Sequence, residues 1–338
     1  MSIYGGIHSG CAVAAITWYL AYVGALTRDF YKGLSPNLAE MVLGWMIFAL
    51  LASVCIFAHP YIRRNYHDFF ELVHRIGGWA SILLFWLQLI ASAYSRTTPT
   101  SPMAAILAHT PIFWLLISTT LLIAYPWLRL RLRTVRAELL SPHALRLHFP
   151  YGRRRICETI RLSTSPLLET HAFACIPARD SARGFSVVIS NAGDWTNRII
   201  SNAPDRIWTR GVPTVGMLHV ALAFRKIVLV TTGSGIGPCL SIFAGRPDYS
   251  ARIIWSTRSP IRTYGKAVVG AVLEADADAV IVDTEKDGRP DLVRLAYALY
   301  CESGAEAVLV MSNAVVTGLV VGEMKRRGVR AFAPIFDS

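Results

Sequence analysis

Four long apolar runs dominate the first 130 residues: 11–26, 41–58, 76–93 and 106–127. Each is close to the roughly 20 residues a helix needs to cross a bilayer. Aromatic residues mark them in the manner of interfacial belts: Trp18, Tyr19 and Tyr22, then Trp79 and Trp86, then Tyr125 and Trp127. The runs are joined by short polar loops, which favours four membrane spans over a set of long buried helices in a soluble fold. Beyond residue 130 the pattern shortens. "TVRAELLSPHALRLHF", "HAFACIP" and "GFSVVIS" alternate apolar and polar positions between Gly, Pro, Asp and Ser. That period predicts a small antiparallel β-barrel or sandwich over 131–222. From Arg225 the texture changes again. "KIVLVTTGSGIGPCLSIF", "ARIIWSTRSP", "ADAVIVDTE", "RPDLVRLAYALYCESG", "EAVLVMSN" and "VVTGLVVGEMKRRG" alternate strand-like and helix-like segments. This predicts a parallel sheet covered by helices, a Rossmann-like α/β nucleotide-binding domain over 223–338. The expected fold is a multi-domain membrane protein: a four-helix transmembrane bundle over 1–130, then the barrel, then the α/β domain.

Composition supports the membrane reading. Of 338 residues, 53% are hydrophobic and only 17% charged, against about a quarter charged in ordinary soluble proteins. The formal net charge is +12. Arginines cluster around Arg63, Arg64 and Arg75, and again at Arg129, Arg131, Arg133 and Arg136, whereas "SRTTPTSP" holds one. The positive-inside rule then places the N- and C-termini in the cytoplasm, with Arg28 and Lys32 running against that choice. The first apolar run has no basic n-region and is followed by others, so it reads as a span and not a signal peptide. Six cysteines, none in a CxxC pair, argue against zinc or iron–sulfur sites. No basic helix or aromatic RNA-binding motif points to nucleic acid.

The clearest chemical signal is "VLVTTGSGIGPC". An apolar strand-like run ends at Thr231, and Gly233, Ser234, Gly235 and Gly237 follow. Such a turn opening a helix offers free N–H groups to a pyrophosphate. It is equally the form of a plain tight strand-to-helix bend. The next strand-like run ends "WSTR". In a parallel sheet, Ser256 and Arg258 would lie beside the glycine turn and suit a ribose 2′-phosphate, with Arg262 and Tyr264 close by. That favours NADPH over NADH.

"LVTTGSGIGPCLS" resembles the NADP turn of ferredoxin–NADP reductase-type domains. "NAGDWTNRI" and "HAFACIP" resemble flavin-domain segments of ferric reductases and NADPH oxidases, and "RGVPTVG" stands where their last barrel loop does. With "YHDFFELVHRIGGW" and the ending "GVRAFAPIFDS", the whole chain is most similar to fungal TmpA-type membrane oxidoreductases. The resemblance implies a membrane-bound flavin-dependent oxidoreductase that takes hydride from NADPH to FAD and passes electrons to an acceptor at the cytoplasmic leaflet. It implies that His171 and Phe173 seat the flavin, that Gly193 and Thr196 meet the FAD phosphates, and that Phe336 shields the ring. The sequence departs from the pattern in four places. Ala172 and Ala174 replace the motif's Pro and Thr, Ser190 replaces an Arg, and Met311-Ser312-Asn313 replaces Cys-Gly-Pro.

The related membrane reductases repeat histidines 13 or 14 residues apart to hold haems. Here His74 is followed at those spacings by Leu87 and Gln88. A haem is therefore not expected. His8, His59 and His74 are the weak candidates; His67, like His59, reads more readily as an interfacial residue, and His109 has no partner at the outer end. Gln88, polar within a span, is with His74 a candidate for a site in the bundle. The expected partners are the lipid bilayer and a quinone, lipid-like or other small-molecule acceptor, or a haem partner protein. Two other functions remain open at this point: a redox-inactive nucleotide-binding sensor or scaffold, and a non-redox membrane enzyme acting on a lipid or terpenoid in the bundle.

Overall fold

A computed structural model describes residues 3–34, 37–167, 169–178 and 183–334. The chain divides into two compact units, Met1–Ala124 and Tyr125–Phe336.

The first unit is helical. The long helices are α1 (Ile3–Tyr31), α2 (Leu38–Phe57) and α4 (His67–Ser95), with short α3 (Pro60–Asn65) and α5 (Met103–Ala108) between them. Helix α6 (Pro111–Leu128) runs on into the second unit. Among the described residues, four segments are long and apolar enough to cross a membrane: Gly6–Tyr31, Leu38–Phe57, Phe69–Ser95 and Pro111–Leu128. Large apolar side chains point outward from them; Trp18 is 77% exposed and Leu122 74%. The expected run 106–127 is not one helix. α5 ends at Ala108 and α6 starts at Pro111. The proline ring disfavours helical geometry at Thr110 and suits the first turn of a new helix.

A polar knot ties α1, α2 and α4. The buried Gln88 accepts from the Tyr19 hydroxyl at 2.8 Å and donates to the Glu40 carbonyl at 3.4 Å. Gly44 allows the close approach: a Cβ there would lie 3.2 Å from Val23 Cγ2 and 3.3 Å from Gln88 Nε2.

The second unit begins with eight strands in two antiparallel sheets. Strands β1 (Arg131–Thr134), β8 (Arg206–Val215), β4 (Glu158–Ser163) and β5 (His171–Ala174) form one, in that order. Strands β2 (Arg136–Ser141), β3 (Ala144–Phe149), β7 (Phe185–Ser190) and β6 (Ile176–Pro177) form the other. Leu145, Leu147, Val187, Ile189 and Leu162 fill the space between. The sheets are open, so the expected closed barrel is corrected to a sandwich. The chain changes sheet at Val135 and Cys175, whose N–H groups bond to Asp205 and Glu158 carbonyls instead of extending a ladder. The edge strand β6 has two residues, and Pro177 lacks the N–H that further pairing needs. Helix α7 (Asp194–Ser201) follows β7.

The rest is α/β. Strands β9 (Lys226–Thr232), β10 (Ser250–Thr257), β11 (Val280–Asp283), β12 (Ala307–Met311) and β13 (Ala331–Phe332) pair in parallel in the order β11-β10-β9-β12-β13. Helices α8 (Ile236–Gly245), α9 (Pro260–Ala275), α10 (Leu292–Ser303) and α11 (Ala314–Arg326) connect them. Residues Ile227–Val230 of β9 are fully buried, as a central parallel strand covered on both faces requires.

Candidate functional site

Strand order reverses at β9: the chain moves to β10 on one side and later to β12 on the other. Ligands of open α/β sheets sit outside the carboxyl ends of the strands at such a switch point. A cleft of about 760 Å³ lies there. Thr232 and Gly233 border it from the end of β9, Ser256, Thr257 and Arg258 from β10, and Arg262 and Tyr264 from the start of α9.

The glycine turn combines two roles. Gly233 has φ +50°, and its carbonyl accepts the Trp255 indole N–H at 3.0 Å, so the neighbouring strand fixes the turn. Gly235 is a close approach: a Cβ would strike the Met311 carbonyl oxygen and lie 2.6 Å from Thr231 Oγ1. Gly237 is buried, and a Cβ there would make an ordinary 3.6 Å contact with Val188. Of the four predicted turn residues only Gly233 lines the cleft. The exposed Ser234 is in the turn before α8, and no side chain caps that helix, although the Ile236 N–H is bonded to the Ser234 carbonyl and Pro238 has no N–H to offer.

The basic side of the cleft is already partly compensated. Glu285 pairs with Arg258 at 3.2 Å and Arg262 at 2.8 Å, and Ser259 Oγ donates to the same carboxylate. These donors, Ser259 first and then Arg258, hold the Glu285 carboxyl down at about 2. Ser259 sits at φ +41°, with its N–H donated to Asp283 at 2.8 Å. The turn that aims Arg258 is thus held in the left-handed region by two carboxylates. Tyr264 is buried against Trp255, and burial raises its phenol.

His143, Thr284 and Arg289 also line the cleft and were missed by sequence reasoning, and Asn313 of the Met311-Ser312-Asn313 segment joins them. Arg289 had a local signal, the "DGRP" turn with Gly288 at φ +73°. His143 had none, because the β2–β3 hairpin brings it in from 121 residues away, edge-on to Tyr264. Asn313 caps α11 through the Val316 N–H at 3.0 Å.

The residues expected for flavin form a separate cluster around the buried Trp195. The ring centres of His171 and Phe173 lie 4.3 and 5.8 Å from that of Trp195. His171 meets Glu169 at 3.1 Å, and Glu169 meets Arg198 at 3.1 Å. Thr196 Oγ1 accepts from the Ala192 and Gly193 N–H groups at 2.9 and 3.0 Å and donates to the Gly193 carbonyl at 2.8 Å. None of His171, Phe173, Gly193 and Thr196 lines the 760 Å³ cleft. Phe336 lies outside the described residues.

In the bundle, the His8 and His74 rings are 6.4 Å apart, edge to face. His59 caps α3, its Nδ1 accepting the Tyr61 N–H at 3.3 Å. The His67 side chain is outside the described residues. Gln88 belongs to the helix-tying knot and does not meet His74 in any described hydrogen bond. Among the described residues, no three His, Cys, Asp or Glu side chains form a group able to hold a metal ion.

Residues 217–338 match the family model for the C-terminal domain of adenylate-forming reductase 03009. Two curated relatives from Coprinopsis cinerea are similar along nearly the whole chain. Adenylate-forming reductase 03009 is 40% identical over 335 residues and adenylate-forming reductase 06235 is 41% identical over 337; each alignment covers 99% of this chain and 32% of the relative. Among solved structures, a ferredoxin–NADP+ reductase from Neisseria gonorrhoeae with bound FAD and NADP matches 61% of this chain and 98% of its own at 13% identity, TM-score 0.49. Phthalate dioxygenase reductase matches 61% of this chain and 68% of its own at 12% identity, TM-score 0.47. The chain spans about a third of the length of the curated relatives it matches.

Proposed function

We propose that the chain is a membrane-anchored, NADPH-dependent oxidoreductase of the ferric reductase-like, TmpA-type arrangement. In this reading the bundle sits in the bilayer, both termini are cytoplasmic, and electrons reach an acceptor at the cytoplasmic leaflet, either a quinone or lipid-like molecule or a haem partner protein. The observation that carries it is the cleft at the β9 switch point, with Gly233, Ser256, Arg258 and Arg262 on its border. The nicotinamide nucleotide fits. Gly233 and the uncapped start of α8 suit the pyrophosphate, and Arg258 and Arg262 suit a 2′-phosphate. The names of the two relatives, both reductases, point the same way.

FAD is the group that would take hydride from the nicotinamide. A phosphate seat at α7 does not fit it. Thr196 already uses the Ala192 and Gly193 N–H groups, Asp194 puts a carboxylate in the first turn, and Ser190 supplies no charge. We therefore assign flavin as exchangeable and not resident. The test is the absorption spectrum of the detergent-purified chain with NADPH, before and after adding FAD. Protein-dependent bleaching of added FAD is expected. No bleaching with any flavin or quinone added would overturn the oxidoreductase reading. A Soret band would instead assign haem to the His8–His74 pair.

The closed α7 seat favours a second reading, a nucleotide-binding sensor or scaffold without redox turnover. That reading wins if NADPH binds saturably and reduces no acceptor.

A further inference from the structure

A second cleft in the Tyr125–Phe336 unit, of about 1740 Å³, shares no residue with the nucleotide cleft. Arg136, Arg146, Arg153, Arg154, Arg155 and Arg183 line it, and among the described lining residues the one carboxylate is Glu274. The arrangement follows from the strand period. Leu145 and Leu147 of β3 are buried in the sandwich core, so Arg146 and His148 face outward. The β3–β4 loop adds three consecutive arginines, and this loop is anchored. The Cys157 N–H donates to Ser241 Oγ at 2.8 Å, and Ile156 packs where a Cβ on Gly245 would have to sit. Cys157 holds φ +60° at the end of the loop. The opposite wall is kept open by Ala267, Gly270 and Ala271 of α9; a Cβ on Gly270 would meet nothing within 4 Å.

Part of this charge is balanced: Glu138 pairs with His148 at 2.6 Å, and Arg146 and Arg136 also act on its carboxyl. Arg153, Arg155 and Arg183 make no hydrogen bond or ion pair with a described residue. Arg154 lies over the Phe185 ring at 4.7 Å, and its buried Nε has no hydrogen-bond partner. Arginine cannot relieve such crowding by losing its proton. A counter-anion can, and planar guanidinium groups match phosphate oxygens two at a time. We propose that this cleft binds a ligand carrying two or more phosphate groups, at a site separate from the nucleotide cleft. The shared chemistry is the clustered phosphate ester, whose source is a soluble metabolite or a phosphorylated lipid headgroup.

The experiment uses the full chain in phosphatidylcholine nanodiscs. Calorimetric titration with inositol hexakisphosphate is compared with binding of the chain to vesicles of phosphatidylcholine with and without phosphatidylinositol bisphosphate. Saturable one-to-one binding of the soluble probe, unchanged by NADP+ or by Arg258→Gln, assigns a soluble source. Binding to the bisphosphate vesicles alone assigns a headgroup. In either arm, the exposed pair Arg153→Gln/Arg155→Gln should weaken binding at least roughly tenfold, and Arg153→Lys/Arg155→Lys should restore part of it. Melting curves identify variants that fail to fold. The proposal is overturned by the absence of saturable binding in both arms, by displacement with NADP+, or by unchanged binding in the folded double Gln variant.

Discussion

The sharpest test of the nucleotide cleft is selectivity between NADPH and NADH, which differ only in the 2′-phosphate. Arg258 is 74% exposed, so its bond to that phosphate is screened by solvent. A well-formed charge-assisted hydrogen bond contributes roughly 1.5–3 kcal/mol, and the lower end applies here, equivalent to about tenfold in Kd. Arg258→Ala should therefore weaken NADPH roughly tenfold and NADH less than about twofold. Glu285 supplies the opposite perturbation. Its two oxygens hold Arg258 and Arg262, the groups a 2′-phosphate would use, so carboxylate and phosphate compete. Glu285→Gln should tighten NADPH and leave NADH unchanged. The Glu285 carboxyl is held down at about 2, below its usual 4.5. Its contribution to stability is complete above about pH 4.5 and is lost as pH falls through 2. Across pH 5–8 it stays charged, so any fall in NADPH affinity below pH 6 reports protonation of the 2′-phosphate itself. The assay is fluorescence titration of each nucleotide at fixed salt. Equal losses for both nucleotides in Arg258→Ala, or weaker NADPH binding in Glu285→Gln, would refute the reasoning.

The other predictions separate structure from chemistry. Gly235→Ala should lower the melting temperature by several degrees, because its Cβ meets the Met311 carbonyl, while Gly237→Ala should be nearly neutral; similar shifts in both would contradict the close-approach argument. Gln88→Leu removes the acceptor of the Tyr19 hydroxyl and should cost about 1–3 kcal/mol in a detergent unfolding assay. Loss of electron transfer in a Gln88→Leu protein of unchanged stability would instead put Gln88 in the acceptor site. Burial pushes the Cys157 and Cys175 thiols up to about 12 and Cys239 further still, so none should react with a polar maleimide at pH 8. The exposed Cys301 should react at once. Cys11 is also exposed in the protein alone and should be shielded in nanodiscs; rapid labelling there would count against the first helix lying in lipid.

Helical and strand periods were readable where one face of an element meets one environment. The four apolar segments and the parallel β/α alternation are of this kind, since local pattern follows burial directly. The break at Thr110 was also written in the sequence, as Pro111, but the apolar residues on either side of it read as one span. Closure of the sandwich was not legible. Whether β6 continues to pair depends on where two sheet changes fall, and no periodicity encodes that. The cleft followed the same division. Gly233, Ser256 and Arg258 lie at strand ends that pattern locates, whereas His143 and Glu285 enter through tertiary packing.

The two arginine-lined clefts differ in one physical respect, and that difference sets what each can do. At the nucleotide cleft, Glu285 stands in for the absent anion and holds Arg258 and Arg262 in place. Binding there is an exchange of one anion for another, which limits affinity and allows a nucleotide to leave after use. In the larger cleft, Arg153, Arg155 and Arg183 make no ion pair with a described carboxylate. An anion entering it displaces no described carboxylate from these three and would relieve the repulsion among them. The first arrangement suits a turnover substrate and the second a resident ligand. It follows that salt should weaken NADPH binding modestly, whereas removing all polyanions should destabilise the fold itself. A chain stripped of bound phosphate that melts at an unchanged temperature would break this argument at the second cleft and leave the first intact.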